Sequence, residues 1–321
     1  MMMRIRTLGK TGIRVSEIGF GCWAIGGPAA LGKTQIGWGR VDDGDSLRAL
    51  QTAFDSGINF YDTADAYGGG HSEELVAEAF AKRRSQVVIA TKGGNITDAN
   101  GEWRKDFRGD FLVRRFEESL RRLRTDYIDL YQLHTPRTDD QLEQALSAAQ
   151  ALDRLIEQGK LRAYGISVAK PEDGLKQIEA GFGDSIQTHY NLLEREAERE
   201  LFPRAVQTRV AIISRVPLAY GFLTGKFTKE TRFGRDDHRS HTLSPEKIAE
   251  WVDKTDRLKP IAADLGISLA QLALQYILAQ EAVSVAIPGA KTENQVRQNA
   301  VAGEAPPLSD EVINRIRRVV A

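Results

Sequence analysis

The chain has 321 residues, and its 44 lysines and arginines are balanced by 44 aspartates and glutamates. A neutral chain has no global field to draw in nucleic acid or an anionic membrane. The single cysteine, Cys22, excludes an intrachain disulfide, and no run approaches the ~18 apolar residues of a membrane span.

Apolar runs and amphipathic stretches alternate along the chain. A short hairpin is expected first, where residues 5–8 and 13–15 flank the turn Gly9-Lys10-Thr11-Gly12. Eight short runs follow, at 16–23, 58–61, 87–91, 127–133, 162–167, 185–189, 210–214 and 283–288. Several are nearly continuous in Val, Ile, Leu, Tyr and Phe, the pattern of parallel strands buried on both faces. Helical periodicity fills 46–56, 72–82, 110–123, 141–158, 171–180 and 198–208. Residues 227–245 lack periodicity and read as a long loop; helices at 245–265 and 268–280 then precede the last run, and a final helix spans 309–320. Alternating βα units imply a parallel sheet, and eight of them can close into a barrel. The expected fold is α/β: a (β/α)8 TIM barrel with an N-terminal β-hairpin and additional C-terminal helices, a single domain over residues 1–321. One cysteine and no apolar leader at Met1–Arg6 fit a cytoplasmic protein, with no nucleic-acid or membrane partner expected.

Two glycine-rich motifs match nucleotide-binding patterns but lack their context. Residues 27–34, Gly-Pro-Ala-Ala-Leu-Gly-Lys-Thr, fit a phosphate-binding loop, which must open a helix. Here Thr34 leads into Gln35-Ile36-Gly37-Trp38-Gly39, and glycines in a first helical turn are costly. A glycine-rich surface loop is the simpler reading. Gly19-Phe20-Gly21-Cys22-Trp23-Ala24 fits a relaxed dinucleotide fingerprint, yet Gly26-Gly27-Pro28 interrupts the helix it requires. His238 and His241, beside Asp236 and Asp237, read as a solvated lid, and no metal is expected.

The chemistry sits where the hydrophobic runs end. Asp62 and Tyr67 follow the second run, Lys92 ends the third and His134 ends the fourth. Barrel enzymes build their sites at the C-terminal ends of their strands, and adjacent strands lie about 4.8 Å apart, so the four side chains can converge. A free tyrosine has a pKa near 10, and a neighbouring lysine is expected to lower it. Asp62 would hold Lys92 charged, and His134 would hydrogen-bond a substrate oxygen. Such a set suits protonation of a carbonyl oxygen.

These motifs resemble the aldo-keto reductase family, from the N-terminal hairpin to Asn299. The resemblance implies an eightfold barrel that binds NADP(H), or NAD(H) in its place, across its mouth. It makes Asp62, Tyr67, Lys92 and His134 the catalytic residues, with Tyr67 as general acid in reduction and general base in oxidation. It places Ser167 and Gln187 at the nicotinamide carboxamide, with Val168 where an asparagine is common. Ser214, Arg215 and Leu218 follow as cofactor contacts; Arg215 replaces a stacking aromatic, and Gly221 to Lys226 form a pyrophosphate cover. Gly289, Lys291, Gln295, Gln298 and Asn299 would bind the adenosine end. Gln295 stands where a basic residue often holds the 2′-phosphate, and it can complete a capping box with Thr292. Arg297 lies about 200° from Gln295 on that helix and points away. Trp23 is the expected substrate wall; Cys22, Trp38 and Trp103 also fall near the mouth. The implied activity is interconversion of aldehydes or ketones with alcohols, on a small carbonyl or polyol substrate, by a monomer or weak homo-oligomer. A slow-turnover NADP(H)-binding sensor or regulatory subunit is the alternative.

Overall fold

The computed structural model describes residues 2–37, 39–234 and 237–320. Eight parallel strands form the central sheet: β1 (Phe20–Gly21), β2 (Phe60–Asp62), β3 (Val88–Gly93), β4 (Ile128–His134), β5 (Leu161–Ser167), β6 (Ser185–His189), β7 (Ala211–Arg215) and β8 (Val283–Ala286). They pair in sequence order, and bridges from Ile18 to Ala286 and from Gly21 to Gly289 join the first strand to the last. Gly19 N–H donates to Ala286 O at 2.8 Å across that seam. The result is a (β/α)8 barrel. The seam needs glycine: a Cβ on Gly21 would stand 2.8 Å from the Ile287 carbonyl oxygen.

The barrel interior is apolar low down. Phe60, Val88, Ala90, Leu130, Ala163, Ala211, Ile213 and Val285 form one buried cluster with Leu8, Ile13 and Val15 of the N-terminal hairpin. That hairpin, Ile5–Thr7 paired with Arg14–Ser16, closes the N-terminal end of the barrel.

The helices are α1 (Asp43–Asp55), α2 (His71–Phe80), α3 (Gly109–Leu123), α4 (Asp139–Ser147), α5 (Ala149–Glu157), α6 (Pro171–Glu179), α7 (Leu201–Thr208), α8 (Arg239–Thr242), α9 (Pro245–Asp264), α10 (Leu269–Leu278), α11 (Glu293–Glu304) and α12 (Asp310–Val320). Their apolar faces build the larger core outside the sheet. Capping side chains start several of them: Asp42, Thr138, Ser244, Ser268 and Thr292 each accept a backbone N–H, which satisfies one of the orphan donors of a first turn. Among the described residues no single helix is long and apolar enough to cross a membrane.

The structure departs from the expected elements in four places. The helix expected at 141–158 is two helices meeting at Ala148. The long loop carries α8. Residues 29–36 form an antiparallel hairpin, Ala29–Leu31 with Thr34–Ile36, so Thr34 continues a strand and opens no helix. Lys33 at its tip pairs with Glu102 at 2.6 Å. A further hairpin, Asn95–Thr97 with Trp103–Lys105, rises from the end of β3. Trp38, Asp236 and the side chain of His241 lie outside the described residues.

Candidate active site

Strand parity decides what reaches the barrel mouth. Side chains alternate between the two faces of a strand. Phe60, Ala90 and Leu130 point inward, so Asp62, Lys92 and Gln132 occupy the next inward layer, and His134 the one above. They border a cavity of about 1300 Å³ at the C-terminal end of the barrel, which Asp62, Tyr67 and His134 line directly. Lys92 is fully buried beneath it.

Lys92 Nζ donates to Asp62 Oδ1 at 2.5 Å, to the Thr63 carbonyl at 2.8 Å and to Tyr67 OH at 3.1 Å. Three bonds saturate the ammonium. The second Asp62 oxygen accepts from Gln132 Nε2 at 3.0 Å and from Gln187 Nε2 at 2.8 Å. Burial alone would pull the Lys92 pKa down; Asp62 and Tyr67 more than offset it, and the group is raised above its ordinary value. Tyr67 behaves differently from the sequence-based expectation. Burial raises its pKa, Lys92 opposes that rise without reversing it, and the phenol ends above its ordinary value.

Local backbone brings Tyr67 over Lys92. After Asp62 the chain keeps pairing along β3, with Thr63 N–H on Ala90 O and Asp65 N–H on Lys92 O. It then turns through Gly68, Gly69 and Gly70, all at positive φ, a conformation that costs glycine least. A Cβ on Gly68 would meet the Gly26 carbonyl oxygen at 2.0 Å, so this turn also depends on the missing side chain.

The His134 ring lies edge-on to Tyr67, centroids 5.8 Å apart. Its Nδ1 is 3.0 Å from Asn95 Nδ2. Asn95 Oδ1 accepts from Trp103 Nε1 at 3.0 Å and Lys105 Nζ at 2.6 Å. The indole N–H only donates, so the amide orientation is forced and its NH2 faces the ring. His134 is held well below its ordinary pKa, by burial first and then by Lys105, Lys92, Arg215 and Arg137. It is therefore a neutral imidazole whose Nδ1 accepts and whose Nε2 carries the proton.

The opposite side of the cavity collects the residues expected to hold a cofactor. Ser167, Gln187, Arg215, Leu218, Gly221, Lys226, Gly289, Lys291, Gln295, Gln298 and Asn299 all line it, and so does Trp23, stacked on Tyr67 at 6.0 Å. Ser214 does not join them. It is one residue out of phase with Ile213 and Arg215, and its hydroxyl donates to the Tyr190 carbonyl at 2.8 Å. Gln187 lines the cavity but spends its amide on Asp62 and on Gln132 Oε1, the latter at 3.1 Å. Arg215 is anchored by one bond to the Val168 carbonyl at 3.0 Å, and its buried Nε has no acceptor among the described residues. The loop after β7 is strained, with Val216, Ala219 and Tyr220 at positive φ; such strain collects at ligand clamps.

Gln295 does not close a capping box. Thr292 caps α11 through the Gln295 N–H, but the Gln295 side chain accepts from the Lys291 N–H at 2.8 Å, one residue further back. Arg297 pairs with Glu293 at 3.3 Å on the exposed face, away from the cavity. In the long loop, Asp237 is clamped by Arg239, and His238 packs on Trp23 at 4.9 Å. Cys22 is buried beneath the mouth, and burial pushes its thiol pKa well up.

Sequence reasoning missed Gln132, Asn95, Lys105 and Arg137. Gln132 had a signal, since it shares the parity of His134 within one strand. Asn95 and Lys105 meet His134 only because an unanticipated hairpin folds over it.

The model of the aldo/keto reductase family matches residues 17–321. The chain is 36% identical to an aldo-keto reductase of Bacillus subtilis (strain 168) over 92% of its length and 87% of the relative's. It is 30% identical to an NADH-specific methylglyoxal reductase of Escherichia coli (strain K12), over 92% of each chain. Among solved structures it resembles a glycerol dehydrogenase from Gluconobacter oxydans, at TM-score 0.82 and 31% identity, covering 99% of this chain and 94% of that one. The chain belongs to the aldo/keto reductase family, and is an oxidoreductase by that membership.

Proposed function

We propose that this protein interconverts small aldehydes or ketones and their alcohols with a nicotinamide cofactor, NADP(H) in preference to NAD(H). The observation that carries the proposal is the contact of Tyr67 OH with Lys92 Nζ, 3.1 Å apart, at the floor of a cavity shared with His134.

Two features of the cavity fit a nicotinamide nucleotide. Arg215 offers a buried Nε without an acceptor among the described residues. Lys226 and Lys291 both line the cavity, the latter just before the first turn of α11, and cations with a helix N-terminus suit a bridging pyrophosphate. Ser167 and Gln187 would meet the carboxamide, and Asn299, Gln298 and Gln295 the adenosine. When bound, the cofactor supplies the hydride for the carbonyl carbon. The protein's own residues handle the oxygen. His134 Nε2–H fixes it by a hydrogen bond, and Tyr67 OH donates the proton. Lys92 stabilises the phenolate left behind, and Asp62 keeps the ammonium charged and aimed. A phenol held above its ordinary pKa is fully protonated at neutral pH, the loaded state for reduction.

A panel of aldehydes, ketones and polyols followed at the nicotinamide absorbance, with NADPH and NADH in parallel, tests the proposal. Turnover of aldehydes with NADPH favoured is the expected result. No turnover of any carbonyl would refute the function; equal efficiency with both cofactors would refute the preference.

A further inference from the structure

The wall of the cavity beside His134 carries two cations, Lys105 and Arg137, that no carboxylate pairs among the described residues. Lys105 reaches it from the hairpin after β3, and Arg137 from the loop after β4. Both cations lie against one indole: Lys105 Nζ is 5.1 Å from the Trp103 centroid, and the Arg137 guanidinium carbon is 4.6 Å from it. Among the described residues neither forms an ion pair with a carboxylate. The Lys105 contacts are neutral oxygens, Asn95 Oδ1 at 2.6 Å and the His134 carbonyl. Asp65, whose charge acts on Lys105, is itself bound to Arg115 at 2.9 Å.

Burial and like charge act together on these groups. Lys105 is pulled down to about 7, by burial first and then by Arg137 and Arg215, with Asp65 opposing. His134 feels Lys105, Lys92, Arg215 and Arg137 together, and Asp62, the carboxylate in this group, is engaged by Lys92. Holding cations together without a counter-charge costs stability, and a partner anion would relieve that cost.

We propose that Lys105 and Arg137 form a binding site for an anionic group carried by the substrate, a carboxylate or a phosphate on a small aldehyde or ketone, placed beside His134. This deepens the carbonyl-reduction reading and rests on it. Arg137 supplies a planar fork suited to two anion oxygens, and Lys105 supplies a point charge. Trp103 packs against both. The reacting carbonyl then lies over Tyr67 and His134 with the anionic group a few atoms away, so a short carbon chain is required.

The test compares matched substrates: succinic semialdehyde against butyraldehyde for a carboxylate, and glyceraldehyde 3-phosphate against glyceraldehyde for a phosphate. The readout is the ratio of kcat/KM, anionic over neutral, in the wild type, in Arg137→Gln and in Lys105→Gln. A charge-assisted contact predicts a wild-type ratio of about 10 or more in at least one pair, falling about tenfold in each variant, mainly through KM. The pair that shows it identifies carboxylate or phosphate as the group. Arg137→Glu should invert the preference. A wild-type ratio near 1, or variants that slow both members of a pair in proportion, would overturn the site while leaving carbonyl reduction intact. If no carbonyl is turned over, calorimetric titration of inorganic phosphate and of succinate into wild type and Arg137→Glu still decides. Binding lost in the variant supports the site, and equal binding or none overturns it.

Discussion

Asn95 Nδ2 faces His134 Nδ1 at 3.0 Å, and the amide has no freedom to turn over. Its oxygen is held by Trp103 Nε1, which can only donate, and by Lys105 Nζ. The proton of the imidazole is therefore placed on Nε2, the nitrogen left to serve the cavity. Replacing Asn95 by Leu removes this constraint and lets both tautomers populate. We expect kcat to fall about tenfold, with cofactor affinity unchanged, because only the carbonyl-facing donor is affected. Steady-state kinetics together with cofactor titration by fluorescence checks it; an unchanged kcat would show that the tautomer is fixed by something else.

The Lys92–Asp62 pair is a structural liability as well as a chemical device. Both groups are buried, and Asp62 also accepts from Gln132 and Gln187. Lys92→Met strands a carboxylate in the barrel, which should cost about 3–5 kcal/mol of stability. Adding Asp62→Leu should recover much of that loss without restoring activity. Urea denaturation of the single and double variants measures the difference.

His189 links the cofactor loop to acid stability. Its pKa is pulled down to about 2, by burial first and then by Arg215, against about 6.5 in an unfolded chain. Between those values only the unfolded chain holds the proton, so stability is complete above about 6.5 and drains as pH falls. Asp65 works the other way: burial raises it to about 6 despite Arg115, which favours the folded state as pH falls through 6. Changing His189 to Gln isolates the histidine. The slope of stability against pH between about 6 and 4 should become shallower by up to about 1.4 kcal/mol per pH unit. Urea unfolding at a series of pH values reads this directly, and identical slopes would contradict it.

The barrel seam makes a simpler prediction. A methyl on Gly21 would press on the Ile287 carbonyl at 2.8 Å. Gly21→Ala is expected to destabilise the fold by about 1–3 kcal/mol, seen as a lower denaturation midpoint. Gly101→Ala is the control for steric crowding, since its Cβ would meet no atom within 4 Å, although its positive φ of 74° adds some backbone cost.

Much of the site was legible because strand periodicity is local. Asp62, Lys92 and His134 each end an apolar run, so their inward placement at the C-terminal end of the barrel follows from the alternation of the run itself. The same rule, applied more strictly, turns the Ser214 side chain away from the mouth and finds Gln132. The glycine motif at 27–34 could be rejected because the residues after Thr34 resist a helix, and the hairpin found there agrees. What could not be read was non-local. Asn95, Trp103, Lys105 and Arg137 come together only where two loops from successive βα units meet, and nothing within either loop specifies the other. The net direction of the Tyr67 pKa was also hidden, because it depends on burial outweighing a lysine that the sequence had already placed.

The central claim is that Tyr67 OH gives the proton that completes carbonyl reduction. Tyr67→Phe removes that one oxygen and leaves the ring stacked against Trp23. Measuring NADPH oxidation with the best aldehyde of the panel, alongside NADPH affinity, tests the claim directly. Turnover should fall by about 10²-fold or more while cofactor affinity stays within about twofold; turnover near the wild-type rate would contradict the account.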